Sequence, residues 1–94
     1  MANSFNTAAV SWFDDGGNLH IRVYSSDGYT VTEKGIDGPG GWFTGSFSEP
    51  GGDVSATCWQ QNGIHVRVYC SFEGNTVEWC LDEGTGWTKG VYPG

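Results

Sequence analysis

The chain is 94 residues long and carries a net charge of −7, with 16 glycines, five tryptophans and an aromatic share of 15%. That length supplies about one small domain, and four scattered Lys/Arg residues offer neither a phosphate footprint for nucleic acid nor a basic patch for an anionic membrane. The aromatic share excludes a disordered chain despite the glycine. The expected ligand is therefore neutral, and the acidity serves solubility.

In chain order, Val/Ile/Thr/Tyr/Trp-rich runs predict strands at Thr7–Phe13, Leu19–Ser25, Tyr29–Ile36 and Trp42–Phe47. Turn clusters separate them at Asp14–Asn18, Asp27–Gly28 and Asp37–Gly41. Ser48–Asp53 (Ser-Glu-Pro-Gly-Gly-Asp) reads as a linker, and strands follow at Ser55–Gln60, Ile64–Ser71, Thr76–Leu81 and Trp87–Tyr92. No stretch holds a helical 3.6-residue period or approaches the ~20 apolar residues of a membrane span, so no direct lipid insertion is expected. Met1–Asn6 has neither the basic nor the apolar region of a secretory signal. Location is left open between the cytoplasm and a non-classical route of export.

The two halves are copies of one unit. Gly63–Tyr69 (Gly-Ile-His-Val-Arg-Val-Tyr) repeats Asn18–Tyr24 (Asn-Leu-His-Ile-Arg-Val-Tyr) at an offset of 45 residues. The same offset carries Glu33 to Glu78, Asp37 to Asp82, Trp42 to Trp87, Gly45 to Gly90 and Phe47 to Tyr92, while Trp12 matches Trp59 at 47. Both arginines and both histidines of the chain occupy repeated positions. Four antiparallel strands per repeat of this length predict an all-β fold of two four-stranded β-propeller blades. The first is expected over Thr7–Phe47 and the second over Val54–Tyr92, joined by Ser48–Asp53. Two blades alone would leave both outer faces in water, and propellers have roughly four to eight blades. Cyclic self-association removes those faces, and a homotrimer would complete a six-bladed ring.

Strand alternation sends Leu19, Ile21 and Val23 to one face and His20, Arg22 and Tyr24 to the other. In a ring, the arginine face of each blade confronts the apolar face of the next. One groove then joins Arg22 and Glu33 to Ile64, Val66, Leu81 and Trp87 of the same chain. The other joins Arg67 and Glu78 to Leu19, Ile21, Ile36 and Trp42 of a second chain. Guanidinium donors and carboxylate acceptors together satisfy neighbouring hydroxyls, an indole stacks or donates one hydrogen bond, and an aliphatic wall takes a methyl group. That lining suits a sugar that is polar on one edge and apolar on the other.

These residues resemble the fungal fucose-specific lectin (Aleuria-type) family, most closely its small trimeric bacterial members with two blades per chain. The matching stretches are Ile21-Arg22-Val23-Tyr24, Gly41-Trp42-Phe43-Thr44-Gly45, Asp53-Val54-Ser55-Ala56-Thr57 and Gly86-Trp87-Thr88-Lys89-Gly90, within Thr7–Tyr92. The resemblance implies non-catalytic binding of fucosylated glycans by a homotrimer, without cofactor or metal, at three sites within chains and three between them. It makes Arg22 with Glu33, and Arg67 with Glu78, the sugar's hydrogen-bonding pair, and Trp87 and Trp42 the tryptophans that complete each site. Trp12 and Trp59, with Ile64/Val66 and Leu19/Ile21, match the pocket for the fucose methyl. Ser46 and Val91 sit where relatives approach the sugar, and Ile36 and Leu81 replace an aromatic that stacks on it in close relatives.

Alternative readings stand beside these. The Arg/Glu pairs could be structural ion pairs tying neighbouring strands in a purely structural two-blade module. A glycosidase-like enzyme on the same sugar would need two carboxylates about the scissile bond; each groove has one Glu, expected to be partnered by Arg. Trp42 and Trp87 could serve as core anchors. Trp79, aligned with Lys34, is expected to be exposed or at an interface, with no ligand. His20 and His65 are expected to bond structurally. Asp37 and Asp82 open Gly-rich turns, where short carboxylates cap backbone N–H groups. Asp14–Asn18 lacks the calcium loop's spacing and reads as a turn. Cys58, Cys70 and Cys80, without C-x-x-C spacing, read as small buried thiols.

Overall fold

The computed structural model describes residues 6–94, and every regular element among them is a strand. The reading of the N-terminus falls largely on residues 1–5, outside that range. The strands are β1 (Asn6–Phe13), β2 (Leu19–Ser26), β3 (Thr30–Asp37), β4 (Phe43–Pro50), β5 (Asp53–Gln60), β6 (Ile64–Phe72), β7 (Asn75–Asp82) and β8 (Thr88–Lys89). They form two open antiparallel sheets, β1-β2-β3-β4 and β5-β6-β7-β8. Neighbours in sequence are neighbours in space, so short turns suffice, and Gly17 (φ 82°) and Gly74 (φ 85°) supply the left-handed backbone two of these turns need. The repeat survives in the registers: Tyr24 opposes Glu33 as Tyr69 opposes Glu78, and His20 opposes Asp37 as His65 opposes Asp82.

Two segments differ from the sequence expectation. Ser48 and Pro50 pair with Thr32 and Thr30 at the end of β4, and Asp53 opens β5, so only Gly51 and Gly52 lie between the sheets' strands. The crossing is tight. A Cβ at Gly51 would come within 2.9 Å of Val31 and of Cys70, so the chain passes between the sheets only without a side chain. The strand expected at Trp87–Tyr92 pairs only at Thr88 and Lys89. Beyond them the chain bends to Glu78, whose backbone carbonyl accepts from Gly90 N (2.8 Å) and whose carboxylate accepts from Tyr92 N (3.2 Å).

The sheets pack face to face. Tyr24, Val31 and Phe47 of the first meet Val54, Val66, Val68 and Cys70 of the second in one buried cluster. They approach most closely where β1 runs beside β5. Asn6 Oδ1 accepts from Val54 N at one end of that pair, and Cys58 Sγ donates to Ser11 O (3.4 Å) near the other. The three cysteines are free thiols, two buried and Cys58 partly so.

Val68 has no exposure, and its repeat counterpart Val23 lies on an outer face. Val68→Ala is expected to lower unfolding free energy by about 2–3 kcal/mol in a urea titration, from lost burial plus the cavity left behind. Asp15→Ala, on an exposed turn, should stay within about 0.5 kcal/mol of the parent.

Candidate functional site

One face of the first sheet carries Trp12, His20, Arg22, Tyr24, Glu33 and Asp37, brought together by the β1–β2–β3 registers. Arg22 and Glu33 do not bond to each other. Arg22 Nη1 donates to Asp37 Oδ1 (2.8 Å) and to the backbone carbonyl of Ile21 (3.0 Å). Glu33, 4% exposed, accepts instead from the Tyr24 hydroxyl at 2.8 Å. Burial, and then the Glu33 carboxylate, push the Tyr24 phenol far above its ordinary range, so it stays a donor. The second repeat matches: Arg67 Nη1 reaches Asp82 Oδ1 (2.9 Å) and Val66 O (3.0 Å), and Tyr69 donates to Glu78 (2.8 Å). The expected Arg–Glu partnership is thus replaced by Arg–Asp and Tyr–Glu bonds. Asp37 and Asp82 use their side chains on arginine and histidine rather than on turn N–H groups; it is their backbone carbonyls that accept from Gly40 and Thr85. His, Arg and Asp all recur at the 45-residue offset, and that recurrence is the signal that could have found this cluster.

The Glu33 carboxylate lies over Gly45, where a Cβ would overlap it, and Gly90 does the same for Glu78. A register shift in β3–β4 leaves Glu33 without a partner on β4 and places exposed Ser46 just past Gly45. Val91, its counterpart, is 96% exposed.

Both histidines bond structurally. His20 Nδ1 meets Asp37 (2.6 Å) and Nε2 meets Asp14 (2.9 Å); His65 meets Asp82 (2.6 Å) and the backbone carbonyl of Gln61 (2.9 Å). Every one of these partners is an acceptor, so only the doubly protonated ring satisfies both nitrogens. The Asp14 bond, then Asp37, raise the His20 pKa, and Asp82, then Gln61, raise that of His65. Asp14 falls to about 2, chiefly through His20, while also holding the turn amides of Gly16 and Asn18. Burial pushes Asp37 up, but Arg22 and His20 outweigh it and hold the carboxyl low. Trp12 and Trp59 stack flat on His20 and His65 (5.1 Å, 13° in each case) and lie under Arg22 (5.2 Å) and Arg67 (4.9 Å).

Of the opposite walls, only the first is in place within the chain. Ile64, Val66 and Leu81 lie on the face of the second sheet that packs against the first. Trp87 crosses to Phe47 (4.6 Å) and Tyr24 (6.1 Å). Arg67 and Glu78 have no such neighbour among the described residues. Leu19, Ile21 and Ile36 share the outer face of the first sheet, Trp42 is 57% exposed, and Trp59 is 42% exposed. Trp79 lies where the two sheets meet: it is half-buried against Phe47 (6.4 Å), and its buried Nε1 has no partner among the described residues. Arg22 also lies over Phe43 (5.0 Å), a neighbour the repeat does not preserve, because Thr88 takes that place. No cluster of His, Cys, Asp and Glu suited to a metal occurs among the described residues.

The network has a definite pH window. A depressed Asp14 contributes stability above its ordinary 3.8 that is lost as pH falls towards about 2. A raised His20 contributes stability below its ordinary 6.5 that is lost as pH rises through its folded value. An NMR titration should place both histidines above 6.5. Asp14→Asn should bring His20 down and leave His65 unmoved, since His65 uses Gln61 instead. A His20 titrating at or below the ordinary value would remove the network.

The family described as fungal fucose-specific lectin matches residues 7–93. A protein of Aspergillus fumigatus named fucose-specific lectin is 36% identical over 78 residues, which cover 76% of this chain and 24% of that protein. The chain therefore spans about a quarter of its relative's length. With nearly its whole length matched, the chain belongs to the fungal fucose-specific lectin family.

Proposed function

We propose that this chain binds L-fucose and fucosylated glycans non-covalently, in grooves between propeller blades of a homotrimer. One observation carries the reading. Each arginine commits Nη1 to the protein, while Nε and Nη2 have no acceptor among the described residues. Those donors lie on guanidinium groups whose side chains are only 17% and 19% exposed, beside a carboxylate and on a tryptophan. A ligand with adjacent hydroxyls satisfies donors and carboxylate together. The family membership and the relative's name supply the sugar. The partly exposed aliphatic residues Ile64 and Leu81, packed over the fully buried Val66, offer a surface for the C6 methyl that distinguishes fucose from galactose.

The repeat supports the assembly. Trp87 packs on Tyr24 and Phe47 of the first sheet, whereas the arginine face of the second meets no other sheet among the described residues, and Trp42 is largely exposed. Phe13 (64% exposed), Leu19 (39%) and Trp42 (57%) form the face that lacks a partner. A second copy placed as the second sheet is placed on the first would cover both, with Leu19, Ile21, Ile36 and Trp42 completing the groove of Arg67 and Glu78. The approach of β1 to β5, with fewer contacts between the outer strands, is how blades radiate from a central axis. Three copies close a ring within the usual range of roughly four to eight blades.

Sedimentation should give a trimer, and a well-folded monomer at micromolar concentration would remove the ring. Arg22→Ala is expected to abolish the groove within the chain and Arg67→Ala the groove between chains. Each should bind about half the fucose per chain of the parent, and the double variant none, because each substitution removes the guanidinium N–H donors that would meet the sugar's hydroxyls. Full stoichiometry in a folded double variant would make the arginines structural.

Calorimetry should also rank L-fucose above L-galactose, whose extra hydroxyl would meet the aliphatic wall at a cost of roughly 1–3 kcal/mol. Equal affinities would show that this wall does not read the methyl.

A further inference from the structure

Asp37 and Asp82 lie outside the Arg/Glu/Trp set that the fucose-binding reading assigns to the sugar, yet the two copies hold them alike. Oδ1 of each accepts from both an arginine and a histidine: 2.8 and 2.6 Å in the first repeat, 2.9 and 2.6 Å in the second. Each histidine is in turn anchored on its far nitrogen, by Asp14 in one repeat and by a backbone carbonyl in the other. The anchors differ and the outcome is the same. Both arginines place Nη1 on the aspartate and on the carbonyl of the preceding residue. A guanidinium is planar, so fixing one nitrogen at two acceptors fixes the direction of the other N–H groups.

The geometry points to Asp37 and Asp82 as positioning residues that aim the groove arginines, with His20 and His65 bracing them. The inference rests on the fucose-binding reading and extends it: the sugar's donors are oriented before it arrives. A flexible arginine would lose that rotamer freedom at the moment of binding, and an oriented one has already lost it. The tryptophan beneath each guanidinium sets the plane in which it lies, and the aspartate sets its rotation within that plane. Nothing else among the described residues holds Arg67 by a side chain, whereas Arg22 has Phe43 as a further ring neighbour. The second repeat should therefore depend more heavily on its aspartate.

The test uses Asp37→Asn and Asp82→Asn, which keep the size and one acceptor but remove the charge. Two readouts are followed in the full-length protein: L-fucose affinity by calorimetry and rotation of each guanidinium by 15N NMR. In the parent, both guanidinium groups should show slow rotation without sugar. Asp82→Asn should free Arg67, leave the Arg22 signal unchanged, and weaken fucose at the affected site roughly tenfold, the scale of one charge-assisted bond. Asp37→Asn should do the same for Arg22, by a smaller factor. Near-ultraviolet circular dichroism reports the fold; should either variant unfold, His65→Gln or His20→Gln removes the brace instead and is expected to loosen the same guanidinium.

Unchanged rotation and unchanged affinity in folded variants would overturn the inference. So would weakened affinity with an equally ordered arginine, which would make the aspartate a direct contact. If the parent binds no fucose, the sugar reading falls, and guanidinium rotation alone decides whether the aspartates position the arginines.

Discussion

The structure depends on burying a polar sheet face against an apolar one. The first sheet turns Tyr24, Glu33 and Arg22 towards the second, which answers with Ile64, Val66, Val68 and Leu81. A buried carboxylate is costly unless it is hydrogen-bonded, and Glu33 at 4% exposure is tolerable because Tyr24, itself fully buried, donates to it. That bond lets one sheet be polar on its inner side without leaving a charge unsatisfied. It also leaves one oxygen of Glu33 with no protein donor among the described residues, next to an arginine with unused N–H groups. The same packing that stabilises the two sheets therefore leaves an unpaired acceptor and unpaired donors on the face between them.

Repetition reproduces the chemistry but not the surroundings. Arg67, Asp82, His65, Trp59, Tyr69 and Glu78 copy their first-repeat counterparts almost distance for distance. Arg67 stays as covered as Arg22 (19% against 17%), but Tyr69 and Glu78 are only partly buried where Tyr24 and Glu33 are buried, because the first pair faces the second sheet. Tyr92 stands where Phe47 does, at 5.7 Å from Tyr69 against 5.6 Å for Phe47 and Tyr24, yet it is 49% exposed where Phe47 is 2% exposed. Matching geometry with unmatched burial is the physical case for a second copy in the proposed assembly.

The carboxylates divide the work by their partners. Glu33 and Glu78 are held by phenols, while Asp37 and Asp82 are each held between an arginine and a histidine. Asp14 serves a hairpin and a histidine at once. A chain with few basic residues thus places both of its arginines in matching settings, each with Nη1 on an aspartate and with Nε and Nη2 unpaired among the described residues.

Period-2 alternation and the 45-residue repeat determined from sequence alone that the chain is all-β, that it has two four-stranded units, and which residues share a face with Arg22 and Arg67. Both depend on local backbone geometry, which sequence spacing reports directly. The partners of those arginines were decided only in the folded chain. Arg22 could have met Glu33 or Asp37, since both lie on β3 and share its face, and the choice went to Asp37 because Tyr24 stands directly across from Glu33 and His20 directly across from Asp37. The half-burial of Trp79, the shortness of β8 and the path of Gly51 between Val31 and Cys70 likewise came from how the sheets meet. Such outcomes depend on distances between residues far apart in the chain, and no local pattern encodes them.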